Sequence, residues 1–477
     1  MHVISLIFSI FELQKTTSSS MGKDTKNNNR PNAGFSDSRP STFFNLSSVD
    51  RKKAQVRFTL EETSNDGGLL LLKEVDSQIG LIDRLSGCLQ DNRHQSYVKH
   101  SVDSMLRQRV MQIAAGYEDA NDCNALKDDG MMRVCANGQQ TLAAQPTMSR
   151  FENQADNKQL YKMAMAFVDN FIASYASQPK VIIIDSDDTN SFTYGQQELA
   201  LFNNYYGDYC FMPLHVYEGI SGKLITTILK PGRRSKSVNV FAVLKRIIDY
   251  LRKHWPDTLI MFRGDSHFCS REVMNYVHDM SRVEFITGLT GNTVLNKCAQ
   301  MTVESAQRSY ESSQKPVKRY HSFMYKAGSW AYAERVVVKV EVTSMGTNVR
   351  FIVSSLNIRA KVLYEQGYCA RGAAELRIKD HKTYLLSDRM SCSSFKANQF
   401  RLFLHSAAYV LIHTLQNEVL KGTEFCKATM KTIQLKLIKV AARIKFLKTK
   451  VIIDLPSAFY SKWVFEKALS MFEVLRI

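Results

Sequence analysis

The sequence predicts an α/β protein: a mixed β-sheet with helices on its faces, preceded by a helical region and interrupted by a β-rich insertion. Three observations predict it. A β-branched run from Val181 to Ile184 leads straight into the acids of "DSDDT", as a buried strand running into its loop does. The order after it reads strand, strand, strand, helix, strand, helix, strand, which suits a sheet covered on both sides. Before it, apolar residues recur three and four apart, the spacing of helices with one buried face.

Residues 1–50 open with "MHVISLIFSIFELQ", apolar but shorter than a membrane span and without a basic flank or cleavage site. A polar Ser-, Asn- and Pro-rich stretch follows and is expected to be disordered. Met21 offers an alternative start. Residues 51–175 form the expected helical N-terminal domain, through "GGLLLLKEVDSQIGLIDRLSGCL" and "VKHSVDSMLRQRVMQIAAGYEDANDCNAL". Glu118, Asp119 and Asp122 lie at a helix boundary there, where capping is favoured over metal binding.

Residues 176–297 hold the first part of the core. "KVIIIDSDDTNSF", "YCFMPLHVYEG" and "GKLITTILKPG" read as strands. "SVNVFAVLKRIIDYLRKHW" reads as a helix capped by serine, "TLIMFRGDSHF" as a strand, "SREVMNYVHDM" as a helix and "RVEFITGLTG" as a strand. Residues 298–360 are the β-rich insertion, with "YHSFMYKAGSWAYAERVVVKVEV" and "VRFIVSSL". Residues 361–420 return to helix and include the apolar "FRLFLHSAAYVLIHTL". Residues 421–477 are a basic, partly alternating segment, read as a small β unit or a helix.

Lys and Arg number 63 against 45 Asp and Glu, a formal charge of +18. This excess favours an anionic partner, nucleic acid or an acidic membrane surface. No run reaches spanning length, so no membrane insertion is expected. The nine cysteines are scattered with no CxxC pair, which argues against a disulfide framework or a zinc site and for reduced thiols in a cytosolic protein.

Three places carry acids in suggestive positions. Along a strand Asp185 and Asp187 share one face and Asp188 points the other way. Asp265, in "RGDSHF", ends the fourth core strand. Glu375 lies on the helix after the insertion, in "YCARGAAELRIKDHK". If they converge, they offer the hard oxygen ligands that two magnesium ions need about 4 Å apart for in-line phosphoryl displacement. Each also has a plain reading: acids at strand ends cap turns, and a helix glutamate commonly faces solvent. At about 100° per residue, Tyr368, Arg371, Glu375 and Lys382 fall within an arc of about 60°. One face then presents a phenol, a guanidinium, a carboxylate and an ammonium, suited to phosphates beside a metal site or to surface ion pairs. His267 would share the face of Asp265, as a ligand-orienting or a structural histidine.

The spacing Tyr368, Arg371, Glu375, Lys382 resembles the tyrosine-arginine-glutamate-lysine signature of insertion-sequence DDE transposases, in the insertion-sequence-four-like superfamily. "DGGLLLLKEVDSQIGLIDRL", "QRVMQIAAGYEDANDCNAL", "YGDYCFMPLHVYEG", "LKPGRR", "RGDSHF", "FITGLTGN" and "LLSDRMSC" are similar to its family thirteen-eighty, over roughly residues 55 to 455. The resemblance implies a ribonuclease-H-like mixed-sheet catalytic core with a β-rich insertion before the glutamate. It implies a DDE triad with two magnesium or manganese ions and cut-and-paste transposition through terminal inverted repeats. Asp265 and Glu375 carry over directly. The superfamily's Asp-x-Thr selects Asp187 with Thr189, and Asp185 stands as the alternative. Tyr368, Arg371 and Lys382 become DNA contacts, and Trp330 in "AGSWAY" becomes a candidate to stack on a displaced base or a core residue. Partners are terminal-repeat and target DNA and a second protomer; the setting is cytoplasmic, at the bacterial nucleoid. The rival is an inactive, transposase-derived repressor, which loss of an acid or a broken frame would favour.

Overall fold

The computed structural model describes residues 44–233 and 239–474. The expectations for residues 1–43, with Met21, and for a serine cap near residue 237 lie outside them. Phe44–Val49 and Lys52–Val56 form an exposed antiparallel hairpin. Asp50 and Arg51 at its tip both have positive φ, 47° and 64°, the geometry of a type I′ turn. The expected disorder of residues 1–50 is therefore corrected from Phe44 onward. The polar composition hid a short alternation, in which Phe44 and Leu46 face Val56 and Ala54.

An eight-stranded mixed sheet forms the centre. Its strands are β1 (Val181–Asp188), β2 (Leu214–Glu218), β3 (Leu224–Ile228), β4 (Leu259–Gly264), β5 (Val283–Leu289), β6 (Val317–Tyr325), β7 (Glu334–Thr343) and β8 (Gly346–Ser354), in the order β6-β7-β8-β5-β4-β1-β2-β3. β1, β4 and β5 run parallel to one another; the other pairings are antiparallel. "YCFMPLHVYEG" splits in two at Pro213, which has no N–H for a ladder. Asp208–Phe211 joins a small ribbon with Ser191–Phe192 and Leu201–Asn203, and the rest is β2.

Three long helices precede the sheet: α1 (Leu69–Ile79), α2 (Val102–Ala114) and α3 (Asn157–Ala173). The later ones are α4 (Val240–His254), α5 (Arg271–Asp279), α6 (Thr293–Ser313), α7 (Gly372–Lys379), α8 (Phe395–Thr414) and α9 (Lys462–Val474). Asn239 caps α4 by accepting from the Phe241 N–H. One face of the sheet buries Ile182, Ile184, Ile260 and Phe262 against α4 and α5. The other buries Ile183, Met261 and Ile286 under Leu363 and Tyr364, on the stretch leading to α7.

Two boundaries need correction. Residue 298 falls inside α6, and β8 pairs with β5, so the insertion extends the core sheet rather than standing outside it. The helical region at 51–175 is not a closed unit either. Its apolar faces share one core with α8, Leu437, Ile444 and Phe465. Every residue of α8 from Ala397 to His413 is buried, as befits a helix wrapped on all sides. Buried Glu152 clamps this union: it accepts from Arg109 at 2.8 Å and from Arg401 of α8 at 3.1 Å. The described part of the closing segment, residues 421–474, is part of that core too, as a helical turn, a hairpin (Ala442–Phe446 with Val451–Asp454) that pairs with Thr63–Ser64, and α9. Glu118, Asp119 and Asp122 take structural roles: Asp119 pairs with Arg389 at 2.8 Å and Asp122 accepts from the Asp119 N–H.

Candidate active site

Strand alternation sends the acids of β1 to three different partners. Asp185 lies opposite Arg263 of β4 in register. Its two oxygens accept from Nε at 2.6 Å and Nη2 at 2.7 Å, and both side chains are at most 1% exposed. Gly219 leaves the room: a Cβ there would stand 2.6 Å from both Arg263 Nη2 and Asp185 Oδ2. Asp185 as a metal ligand is therefore corrected. It shares the face of Asp187, but it is one strand-repeat deeper and its carboxylate is tied into a buried ion pair. Asp188 points the other way, to Lys230 Nζ at 2.6 Å and His267 Nε2 at 3.6 Å. His267 thus faces Asp188, away from the side expected of it, because the chain leaves the strand at Asp265 and curls into a tight turn.

Asp187 is the acid that reaches the edge. Its Oδ2 accepts from Arg371 Nη1 at 2.8 Å. Burial pushes its carboxyl up to about 6; Arg371 opposes the rise, and Asp265 and Asp188 add to it. Asp265 follows the last residue of β4, and its Oδ1 accepts from the His267 N–H at 2.8 Å. β1 and β4 are parallel neighbours, so both acids emerge at the same end of adjacent strands.

The helical stretch over this edge is irregular. π-helical turns at Leu363–Tyr368 and Asp380–Tyr384 bracket α7, and such bulges gather at functional sites. The uniform wheel therefore does not hold, yet Tyr368, Arg371 and Glu375 still meet. The Arg371 guanidinium lies 5.9 Å from the Tyr368 ring and 3.6 Å from Glu375 Oε1. Asp187, Tyr368, Asp265 and Glu375 all favour its charge. Tyr368 is seated by Gly288, where a Cβ would come within 2.8 Å of its hydroxyl and 2.7 Å of the Ser266 N. Glu375 keeps 65% of its side chain exposed.

Lys382 lies across the second π turn. Its Nζ donates to the Asn190 carbonyl, to Asn190 Oδ1 at 2.9 Å and to Thr189 Oγ1 at 3.4 Å. It ties the loop after β1 in place. Trp330 is set apart: its ring packs edge-on to Tyr325 at 5.4 Å. Its near neighbour Tyr332 stacks on His278, in the last turn of α5, and Asp265 precedes that helix of roughly 13 Å. Sequence reasoning missed Arg263 and His215. Arg263 could have been found as the register partner of Asp185. His215 is the register partner of Asp187 on β2; it is fully buried, both ring nitrogens lack hydrogen bonds, and burial pulls its pKa down to about 3.

Asp187 and Asp265 fit a hard cation. They are oxygen donors at the same end of neighbouring strands, and the Asp187 carboxyl is raised first by burial and then by Asp265. Glu375 stands across Arg371 from them. Among the described residues no three acidic, histidine or cysteine side chains lie close enough to hold an ion together.

Carboxylates thus stand at the ends of two parallel neighbours, under a helix bearing a glutamate and basic groups. Residues 46–477 match the family model described as Transposase DDE domain group 1, and the chain belongs to that family. It is a DNA transposase, an enzyme that cleaves and joins DNA. No curated protein matches the chain. Among solved structures it is similar to the "piggyBac transposase synaptic complex with hairpin DNA", determined by cryo-EM, at 12% identity over 78% of this chain and 80% of that one, with a TM-score of 0.41. No helix among the described residues is long and apolar enough to cross a membrane.

Proposed function

We propose that this transposase moves a bacterial insertion sequence of the insertion-sequence-four-like superfamily, family thirteen-eighty, by cut-and-paste through terminal inverted repeats. The observation that carries the reading is the emergence of Asp187 and Asp265 at one end of the neighbouring strands β1 and β4, with Arg371 on Asp187 and Glu375 beside Arg371. The strand order and the continuous insertion suit a ribonuclease-H-like core. Asp187 and Asp265 would hold magnesium or manganese, with Glu375 completing a site for two ions. Such ions, when bound, would polarise the scissile phosphodiester and ease deprotonation of the attacking hydroxyl.

The chain's own groups orient the DNA. Arg371 offers a planar fork to a phosphate. Tyr368, held between Gly288 and Arg371, positions the backbone and forms no covalent link. Lys382 fixes the loop after Asp187 and places its charge at the rim. Trp330 is proposed for a displaced base only if the insertion turn approaches the DNA in the synaptic complex. The net charge of +18 suits the binding of two element ends and a target by a homodimer, with the helices of 51–175 reading the terminal repeats and the basic residues of 421–477 holding the DNA backbone or the partner protomer. The protein is expected in the cytoplasm, at the nucleoid.

The test is cleavage and joining of a terminal-repeat duplex with magnesium or manganese. D187N, D265N and E375Q are expected to lose both activities while still binding the duplex. Full cleavage by E375Q would sink the triad. An adduct trapped on Tyr368 would overturn the mechanism, and binding without cleavage by the unaltered chain would mark a repressor.

A further inference from the structure

We propose that Arg371 is the resident cation of the DNA-free enzyme: its guanidinium bridges Asp187 and Glu375, and a DNA phosphate must draw it away before Glu375 can join Asp187 and Asp265 around a divalent ion. The inference rests on reading these acids as the ion-holding set. It adds an order of events, in which DNA engagement completes the metal site.

The geometry carries it. Arg371 Nη1 is 2.8 Å from Asp187 and Nη2 is 3.6 Å from Glu375, so one planar group spans both carboxylates. Its charge is also favoured by Asp265 and Tyr368. While the fork bridges Asp187 and Glu375, its charge opposes a cation shared by the two, because like charges repel at such distances.

The guanidinium has an alternative partner and a path. A DNA phosphate offers it the bidentate contact that suits the fork. Gly372, next along the chain, has nothing within 4 Å of where a Cβ would stand, so the backbone beside Arg371 is open. Glu375 is mostly exposed and free to swing. The π turns on either side, Leu363–Tyr368 and Asp380–Tyr384, are places where a helix can change phase without unwinding. Because coupling is reciprocal, metal must then tighten DNA binding as much as DNA tightens metal binding.

The test is a Mn2+ titration of the metal-free full chain, read as free Mn2+ by electron paramagnetic resonance, with and without a duplex copied from the DNA flanking the coding sequence. The unaltered protein is expected to bind Mn2+ weakly alone and about tenfold or more tighter with the duplex, within the usual range of coupling. R371Q is expected to bind tightly without DNA and to gain little from it. E375Q is expected to match the unaltered protein without DNA and to bind more weakly with it. Equal affinity of R371Q and the unaltered protein without DNA overturns the proposal, as does an E375Q that weakens Mn2+ binding equally in both conditions. D187N separates the two ideas: if, with the duplex, it binds Mn2+ as tightly as the unaltered protein, the ion-holding reading itself fails.

Discussion

Asp185 and Asp187 are two residues apart on one face of one strand, yet their replacement should move stability in opposite directions. Asp187 has a folded-state pKa of about 6 against an ordinary 3.8, chiefly from burial. An acid whose pKa is raised by folding binds more protons folded than unfolded, so its contribution is most favourable below about 3.8 and is lost as pH rises through about 6. The gap corresponds to about 3 kcal/mol, at about 1.4 kcal/mol per tenfold change in proton affinity. D187N imitates the protonated carboxyl, so near neutral pH it should stabilise the metal-free protein by up to that amount, a rise of a few degrees in Tm. The gain over the unaltered protein should shrink as pH falls through 6 and vanish near 4. D185N strips the buried Arg263 of its carboxylate and should cost about 3–5 kcal/mol, the usual penalty for stranding a buried charge. Thermal melts in a chelator across this pH range read both. A D187N that melts no higher than the unaltered protein near neutral pH, or a D185N that melts higher, would refute the assignment of one acid to the site and the other to the core.

Other outcomes follow from the packing. E152A leaves Arg109 and Arg401 buried without their shared carboxylate and should destabilise by about 3–5 kcal/mol, seen as a lower Tm or loss of soluble protein. G288A puts a methyl against the Tyr368 hydroxyl and the Ser266 N and should lower strand cleavage; adding Y368F should restore part of it by removing one of the two clashes. His215 and His413 are buried, with pKa values pulled down to about 3. The unfolded chain therefore binds more protons between about 3 and 6.5, and stability from these groups should be lost as pH falls through that window. Replacing His413 with Gln should flatten the acid limb of a Tm-against-pH curve.

The core was legible because its signals are local. The run of Val181–Ile184, the turns and the helical spacing of α4 and α5 each arise within a few residues, and the order of strands and helices was read correctly. The break at Pro213 was missed because composition on both sides looks like strand. The independence of the helical region was misread for a different reason: periodicity reveals which face is apolar but not what covers it, and the cover lies more than two hundred residues away in α8. The same limit applied at the site. Alternation grouped Asp185 with Asp187, but only the register of β4 puts Arg263 beside the first and leaves the second at the edge. His267 was misplaced because a single turn after Asp265 replaced strand geometry with a reversal. Arg371 lies against both Tyr368 and Glu375 although the helix between them is not uniform, with a π turn ending at Tyr368 and a tighter turn at Cys369–Arg371.

The shared core of α1–α3 with α8 and the closing segment bears on how copies of this gene decay. The first helices to be synthesised expose apolar faces that find their cover only when residues 395–472 have been made. A copy whose reading frame breaks in the sheet would release those faces uncovered, and the fragment would be cleared by proteolysis instead of persisting as a folded competitor for DNA. Damage to one catalytic acid, by contrast, leaves the enclosure whole. Point-mutated copies, and not shortened ones, are the form in which an inactive version could endure and occupy the element ends.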